Sequence, residues 1–213
     1  MKLEELPKTI PIFPLSNFIM FPGTTVPLNI FEPRYLQMVN DSMKKHRMIG
    51  MIQPKKTGML KKPDLYEIGC VGKITSFNET EDGRYLIVLN GISRFTIDKE
   101  IDNKRLYREF SVSYKEFEND QSNTNEKLNY DNFHSLFDKL KSYFDKQGYT
   151  LDWNELKKQN LELSLNTLSM AAPFTLEEKQ ALIETKDINI RKKVIEKILE
   201  TYLLDTFSNT TVQ

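Results

Sequence analysis

The two halves of the chain differ in the spacing of their apolar residues. Between residues 10 and 115, short runs of β-branched and aromatic side chains alternate with turn-forming residues, a pattern typical of strands. In the second half, apolar residues recur at the spacing of amphipathic helices. The predicted strands are residues 10–13, 25–30, 47–52, 67–77, 84–91, 93–101 and 107–114. A run of strands followed by a run of helices predicts an α+β fold.

Turn-forming pairs separate several of the predicted strands. Asp82-Gly83 is a strong hairpin signal because glycine adopts positive φ without strain. Asn90-Gly91 marks a second turn or bulge for the same reason, and Asp102-Asn103 marks a third turn. Strands joined by such short connections pair mainly in antiparallel fashion, so we expect an antiparallel β-barrel or sandwich.

Three prolines and a glycine interrupt the segment FPGTTVPLNIFEPRYLQMV, residues 21–39. Pro22-Gly23 fits a tight turn. Pro27 lacks an N–H, which places its strand at a sheet edge or at a bulge. Pro33 suits the first turn of a short helix, where its N–H would be unpaired in any case. The apolar face of that helix is predicted to consist of Leu36, Val39 and Met43.

Four helical segments are predicted in the second half. The first lies within residues 126–146 and ends at Gly148, and the second covers residues 161–172. Thr175 and Glu178 form a T-x-x-E capping box that opens the third. The stripe of the first helix consists of Phe133, Leu136, Phe137, Leu140, Tyr143 and Phe144. The last helix, residues 188–207, has as its apolar side Ile190, Val194, Ile195, Ile198, Leu199, Tyr202 and Leu203.

A polar segment, EFENDQSNTNEK, lies between the two patterns. Its composition is typical of a linker. We therefore expect a β-barrel or sandwich domain with one short helix over residues 1–116, a linker over residues 117–127 and a helical bundle over residues 128–213.

Composition narrows the class of protein. Hydrophobic residues make up 39% of the chain and charged residues 28%, values typical of a folded globular protein. No apolar run reaches the ~20 residues that a membrane span requires, and the residues before the first strand include no apolar run typical of a signal peptide, so none is expected. A single cysteine fits a reducing compartment, so we expect a cytoplasmic protein without membrane partners. The net charge is 0, which disfavours extensive nucleic-acid binding.

The sequence carries no recognisable catalytic motif. Gly72-Lys73 is the nearest approach to a phosphate-binding loop, but Glu67 and Ile74 occupy the places of the first glycine and the Ser/Thr. The chain has two histidines and one cysteine, too scattered in sequence for a zinc site. Cys70 lies in an apolar strand and is interpreted as a buried structural residue. We therefore expect neither enzymatic activity nor a cofactor or metal.

One region combines positive charge with methionine. Residues 42–63 contain no acidic residue and seven basic ones: Lys44, Lys45, Arg47, Lys55, Lys56, Lys61 and Lys62. A solvated loop beside an inner strand is the simpler interpretation, and a nucleic-acid patch is the alternative. The same region holds Met43, Met48, Met51 and Met59, and methionine suits surfaces that accept varied apolar partners. Met59-Leu60, between Gly58 and Lys61, is predicted to be an exposed loop tip.

Several motifs taken together resemble the N-terminal substrate-binding domain of Lon-type ATP-dependent proteases. They lie within PIFPLSNFIMFPGTTVPLNIFEPRYLQMV and LYEIGCVGKITSFNETEDGRYLIVLNGISRF, and the resemblance continues to Glu178-Lys179-Gln180-Ala181-Leu182. The matching motif residues are Pro22, Gly23, Pro27, Phe31, Glu32, Arg34, Tyr35, Gly69, Asp82, Gly83, Arg84, Gly91, Arg94 and Phe95. Because such residues also serve turns and packing, they are expected to mark the fold more than a site.

The resemblance implies a PUA-like β-barrel followed by a helical bundle. In full-length members of the family this region helps to capture unfolded polypeptides for an attached AAA+ motor and a serine–lysine protease. This sequence lacks the phosphate loop and ends at Gln213, so a stand-alone member without proteolytic activity is expected. An ATP-dependent protease is a candidate partner.

Three functions follow as hypotheses. The favoured one is recognition of unfolded or exposed polypeptide segments, as an adaptor in protein quality control, with Met59, Leu60, Met51 and Tyr35 as candidate binding residues. The second is RNA binding by the barrel and the basic segment 44–62, which the neutral net charge disfavours. The third is a small-molecule enzyme, which requires a polar, water-excluding pocket.

Overall fold

The computed structural model describes residues 3–55, 62–121 and 133–208. It divides into two compact units, Met1–Thr124 and Asn125–Gln213. The first unit contains the strands and one helix, and the second contains helices. The expected α+β fold is confirmed.

Within the described part of the first unit, six strands form one sheet in the order β2-β5-β4-β3-β1-β6. A further pairing between β5 and β6 closes this sheet into a barrel. All pairs are antiparallel except β1 with β3, which is parallel. The strands are β1 (Thr9–Pro14), β2 (Thr25–Ile30), β3 (Met48–Ile52), β4 (Ile68–Glu79), β5 (Tyr85–Ile101) and β6 (Arg108–Ser113).

The proline-rich segment adopts the predicted turn, strand and helix. Gly23 has φ 77°, and its N–H donates to the Gly91 carbonyl at 2.9 Å. Pro27 lies in β2, whose only described sheet partner is β5, so the missing N–H falls on an edge strand. Pro33 is the first residue of helix α1 (Pro33–Met43). The buried residues of this helix are Tyr35, Met38, Val39 and Ser42. Of the predicted apolar face, Val39 is among them, whereas Leu36 and Met43 are only half-buried.

Strand β5 runs continuously through the Asn90-Gly91 pair, where two separate strands were predicted. The pair marks a bulge: Gly72 pairs with Gly91 but Val71 with Ser93, which leaves one extra residue on β5. A Cβ atom on Gly91 would lie 2.1 Å from the carbonyl oxygen of Phe21. Glycine is therefore required here by the close approach of the 21–24 turn.

The barrel core is a contiguous apolar cluster. Phe95, from the centre of β5, is fully buried in it. The cluster consists of Leu6, Ile10, Ile12, Met48, Ile52, Leu65, Val71, Phe95, Phe110, Val112 and Tyr114. Truncating a buried phenylalanine of this kind costs about 3–5 kcal/mol, so the cluster accounts for much of the barrel's stability.

A 3-10 helix, Lys115–Gln121, follows β6 and packs against β5. Its Asp120 carboxylate forms a buried ion pair with Arg94, with an Nη2–Oδ1 distance of 2.6 Å. Phe117 is also buried and lies under the Arg94 guanidinium at 4.2 Å from the ring centroid. Residues 117–121, assigned to the linker from composition, are thus part of the first compact unit.

The described part of the second unit contains five helices, one more than the sequence predicted. The additional helix, Trp153–Lys158, is only 6 residues long, and its N-cap Asp152 accepts from the N–H groups of Asn154 and Glu155. The Thr175–Glu178 capping box is present at the next-to-last helix. The helices are α2 (His134–Lys146), α3 (Trp153–Lys158), α4 (Leu161–Ala171), α5 (Leu176–Ile183) and α6 (Ile188–Ser208).

Helix α6 presents a charged residue to the interior where an apolar one was predicted. Ile190 is exposed, whereas Arg191 is almost fully buried. Arg191 Nε donates to Thr185 Oγ1 at 3.1 Å, and its Nη1 donates to Asn166 Oδ1 on α4. These hydrogen bonds offset the desolvation of the guanidinium. Arg191 can therefore lie on the buried face of α6, and Ile190 lies on the exposed face.

Candidate functional site

The barrel unit carries an open cleft of about 590 Å³. Three parts of the barrel form its walls: the end of β1, the first turn of α1, and the 101–108 segment between β5 and β6. Pro54, Lys62 and Pro63 complete the lining. The lining residues are Ile12, Pro14, Ser16, Arg34, Tyr35, Pro54, Lys62, Pro63, Glu100, Ile101, Asp102, Asn103, Arg105, Leu106, Tyr107 and Arg108.

Hydrogen bonds brace the loop that joins β5 to β6. Asn103 Oδ1 accepts from the Arg105 N–H at 2.9 Å, and Asn103 Nδ2 donates to Glu109 Oε2 at 2.9 Å. The Tyr107 hydroxyl donates to Asp41 on α1 at 2.9 Å. Burial and this carboxylate both raise the pKa of Tyr107, so the hydroxyl stays a donor. The loop is therefore anchored by hydrogen bonds to β6 and to α1.

Leu106 stands out on this braced loop. Its backbone N–H donates to Gln37 Oε1 on α1 at 2.9 Å, yet its side chain is 64% exposed. Because hydrogen bonds already order the loop, a ligand that covers this side chain does not have to pay for ordering the loop backbone. This arrangement favours an apolar contact with a ligand.

Arg108 forms one wall of the cleft. Its Nε and Nη2 donate to the two carboxylate oxygens of Glu100, each at 3.0 Å, and its Nη1 donates to the Pro63 carbonyl at 2.7 Å. These hydrogen bonds lower the pKa of Glu100, and Lys62 adds an ion pair at 3.1 Å. All three guanidinium nitrogens of Arg108 are thus engaged, so this residue supports the wall.

Arg34 is held differently. Its Nε and Nη2 contact the same Glu32 oxygen at 2.9 and 2.7 Å, and its guanidinium carbon lies 4.5 Å from the Tyr35 ring centroid. Tyr35 is largely buried, which raises its pKa, and its ring packs edge-on against Phe13. Among the described residues, Arg34 Nη1 has no hydrogen-bond or ion-pair partner. One edge of this guanidinium remains available to a ligand.

The cleft is close to neutral. Its four basic residues each form an ion pair with a carboxylate, and Asp102 adds a fourth acidic group. The pairs are Arg34–Glu32, Lys62–Glu100, Arg108–Glu100 and Arg105–Glu109. Such a surface favours ligands that carry little net charge.

The structure separates the four residues proposed from sequence for polypeptide binding. Tyr35 lines the cleft, although little of its side chain is exposed. Met51 is only 2% exposed in β3, so it is removed from the candidate surface. Met59 and Leu60 lie outside the described residues. Leu106 was not proposed from sequence; an isolated leucine after the polar run DNKR is the signal that could have identified it.

Most of the family-motif residues support the fold. Pro22, Gly23 and Gly91 form the close turn contact, Arg94 and Phe95 are buried, and Gly69 has no room for a Cβ atom. Pro27 lies on the edge strand, and Asp82, Gly83 and Arg84 form the β4–β5 turn with an Asp82–Arg84 ion pair. The other four motif residues lie at or beside the cleft: Arg34 and Tyr35 line it, and Glu32 and Phe31, which is 62% exposed, come shortly before them in the chain.

The basic segment does not line the cleft as a whole. Lys44, Lys45 and Arg47 are exposed in the turn between α1 and β3, whereas Lys62 lines the cleft and is paired. Lys55 is exposed, and Lys56 and Lys61 lie outside the described residues.

The remaining candidate groups show no catalytic geometry. The described ranges contain no cluster of three or more His, Cys, Asp or Glu residues suited to a metal. Cys70 is fully buried, which raises its pKa, the opposite of an activated thiol. His134 is exposed at the start of α2, and its Nδ1 lies 3.0 Å from the Asp138 carboxylate one turn along the same helix. No helix in the described ranges has the length and apolar character to cross a membrane.

The described residues thus form a small barrel with a near-neutral cleft, followed in sequence by a helical unit. The family model for the ATP-dependent protease La (LON) substrate-binding domain matches residues 9–201. The chain belongs to this family, as its motifs predicted.

Relatives and solved structures agree with this assignment. The Lon protease of Malacoplasma penetrans is 31% identical over 86% of this chain and 24% of its own length. The Lon protease of Flavobacterium johnsoniae is 30% identical over 49% of this chain and 13% of its own length. The chain therefore spans a quarter or less of these proteases.

Two solved structures share the fold. A Lon N-terminal domain protein from Xanthomonas campestris has a TM-score of 0.60 at 20% identity, and covers 90% of this chain and 97% of that one. The N-terminal domain of the Mycobacterium avium complex Lon protease has a TM-score of 0.62 at 15% identity, covering 91% and 98%. The barrel-plus-helices architecture is thus that of Lon N-terminal domains.

Proposed function

We propose that the barrel unit binds exposed or unfolded segments of other polypeptides in the cleft between α1 and the β5–β6 loop. Membership of a substrate-binding domain family supports a substrate-binding role. The observation that carries the location is Leu106, an exposed apolar side chain on a braced loop at the cleft. Hydrophobic side chains that are normally buried in folded proteins are the feature that unfolded segments share.

The polypeptides bound here are proposed clients of an ATP-dependent protease, in keeping with a role in protein quality control. The relatives named above are Lon proteases, and this chain matches a part of them that the family description assigns to substrate binding. The absence of catalytic activity in the chain itself stays a prediction.

RNA binding is the weaker candidate. A polyanion requires cations that are free to displace its counterions, and its affinity falls steeply with salt. In the described cleft each basic residue is already paired with a carboxylate. RNA bound there would meet the paired carboxylates Glu32, Glu100 and Glu109 as well as the cations, which makes the neutral polypeptide the better ligand.

Fluorescence anisotropy tests the proposal. A labelled, permanently unfolded polypeptide is titrated with the protein at two salt concentrations, with unlabelled RNA as competitor. Saturable binding that tolerates salt and resists RNA is expected. Salt-sensitive binding displaced by RNA would support the alternative, and no binding at high protein concentration would refute both for this chain.

A further inference from the structure

Of the three arginines that line the cleft, Arg34 and Arg108 differ in how many of their nitrogens are engaged, whereas Arg105 uses Nη1 on Tyr107 and Glu109. Arg108 uses Nε, Nη1 and Nη2 on Glu100 and Pro63, so it has no nitrogen left without a partner. Arg34 uses Nε and Nη2 on a single Glu32 oxygen and keeps Nη1 unpaired among the described residues. A ligand can gain a hydrogen bond from Arg34 without breaking one.

Arg34 and Leu106 belong to the same rim. Gln37, which accepts from the Leu106 N–H, lies three residues after Arg34, one turn further along α1. Both Arg34 and Leu106 line the cleft. A polar donor on α1 and an exposed apolar side chain on the loop that α1 holds therefore line the same cleft.

The charge around Arg34 determines which acceptor it favours. Glu32 lies 2.7 Å from Nη2, so the guanidinium charge is largely balanced at close range. A carboxylate ligand would meet Arg34 but also the like charge of Glu32. A main-chain carbonyl accepts the same N–H hydrogen bond without that repulsion. The pair is thus suited to a neutral acceptor, which every peptide bond supplies.

We infer that Arg34 and Leu106 form a subsite that takes the main-chain carbonyl and an adjacent apolar side chain of an extended polypeptide segment. This inference rests on the proposed polypeptide-binding function and defines its ligand class: uncharged segments that carry exposed aliphatic or aromatic residues. The subsite would select segments by their apolar side chains. Because its second contact is with the main chain, it would accept many different sequences. The exposed Phe31 side chain, just before Glu32, extends the apolar surface at this end of α1.

The chain offers a matched control for each residue of the subsite. Arg84 forms an exposed ion pair with Asp82, two residues away, as Arg34 does with Glu32, but it lies in the β4–β5 turn. Leu86 is 43% exposed on β5. Neither control residue lines the cleft. Substitutions at these two positions therefore show the effect of losing an arginine ion pair or an exposed leucine outside the subsite.

The test uses a terminally blocked, uncharged peptide with leucines among serines and glycines, and a counterpart in which glutamate replaces the leucines. Arg34→Gln and Leu106→Ser are each expected to weaken binding of the uncharged peptide about tenfold, from one hydrogen bond to a charged donor and one apolar contact. Arg84→Gln and Leu86→Ser are expected to bind like the wild type. The glutamate counterpart is expected to bind more weakly than the leucine peptide.

Each outcome decides the inference. If the wild type binds the leucine peptide and Arg34→Gln and Leu106→Ser bind it equally well, the subsite is wrong while the proposed function stands. Tighter binding of the glutamate counterpart would overturn main-chain recognition in favour of charge recognition. If the wild type binds neither the peptide nor an unfolded polypeptide, the proposed function fails and the inference with it. Continued protection of the buried Cys70 thiol in each variant verifies that the barrel is folded.

Discussion

Replacing Asp120 with asparagine is expected to destabilise the barrel far more than an ordinary surface substitution. The Asp120 carboxylate accepts from the Arg94 backbone N–H at 2.8 Å, from Nε at 3.0 Å and from Nη2 at 2.6 Å. The substitution keeps the size of the side chain but removes its charge. Arg94 is then a buried cation without its carboxylate partner.

The burial of the pair sets the magnitude. The two side chains are only 3% and 5% exposed. Removing one member of such a pair costs roughly 3–5 kcal/mol, because the remaining charge stays desolvated. A typical domain has about 5–15 kcal/mol of stability in total, so Asp120→Asn is expected to remove a large share of it.

Cys70 provides a probe specific to the barrel. It is the only cysteine of the chain, it is fully buried, and it pairs with Arg94 across β4 and β5. Because the thiol is fully buried, a thiol reagent reaches it only when the barrel opens. The urea concentration at which Cys70 becomes reactive therefore reports the free energy of unfolding of the barrel.

Asp82→Asn is the matched control. It neutralises the Asp82–Arg84 ion pair, which is exposed and screened by solvent, so little change in stability is expected. A shift of the Cys70 midpoint in Asp120→Asn no larger than that in Asp82→Asn would refute the structural role assigned to the Arg94–Asp120 pair.

Three further changes test other parts of the account. Gly91→Ala is expected to cost about 3 kcal/mol of barrel stability in the same thiol assay because of the turn carbonyl described above, and a loss below about 1 kcal/mol would contradict that close approach. Glu32→Gln leaves the Arg34 charge unbalanced, so anisotropy should detect tighter binding of acidic peptides that weakens with salt; salt-independent binding would argue against the charge balance inferred here. Joint replacement of Met59 and Leu60 with serine is expected to weaken binding of an unfolded polypeptide, and unchanged affinity would remove these two residues from the candidate site.

Local patterns predicted the strands and turns of the barrel well because its turns contain glycine and proline, whose backbone preferences can be recognised from sequence alone. Gly23 and Gly83 have positive φ values where Pro-Gly and Asp-Gly were recognised, and Pro27 lies on an edge strand. The same logic misplaced the division of β5, since Asn90-Gly91 is equally typical of a turn and of a bulge. Only the close approach of Phe21 from another segment decides between them.

Interactions between distant segments account for what the sequence did not predict. Arg191 is buried because Asn166, 25 residues earlier, accepts from it, so the apolar periodicity of α6 gives the wrong inner residue. The cleft likewise combines residues from Ile12 to Arg108. Leu106 became a candidate only when its exposure and its contact with Gln37 were known.

The most direct test of the account locates the bound polypeptide on the protein. Leu106→Cys is labelled with a maleimide benzophenone, which spares Cys70 because that thiol is buried, and is irradiated with an unfolded polypeptide. Leu86→Cys carries the same label as control. We predict efficient cross-linking from position 106 and little from position 86. Equal cross-linking from both positions, or none from position 106 under conditions where the polypeptide binds, would contradict the assignment of the cleft as the binding site.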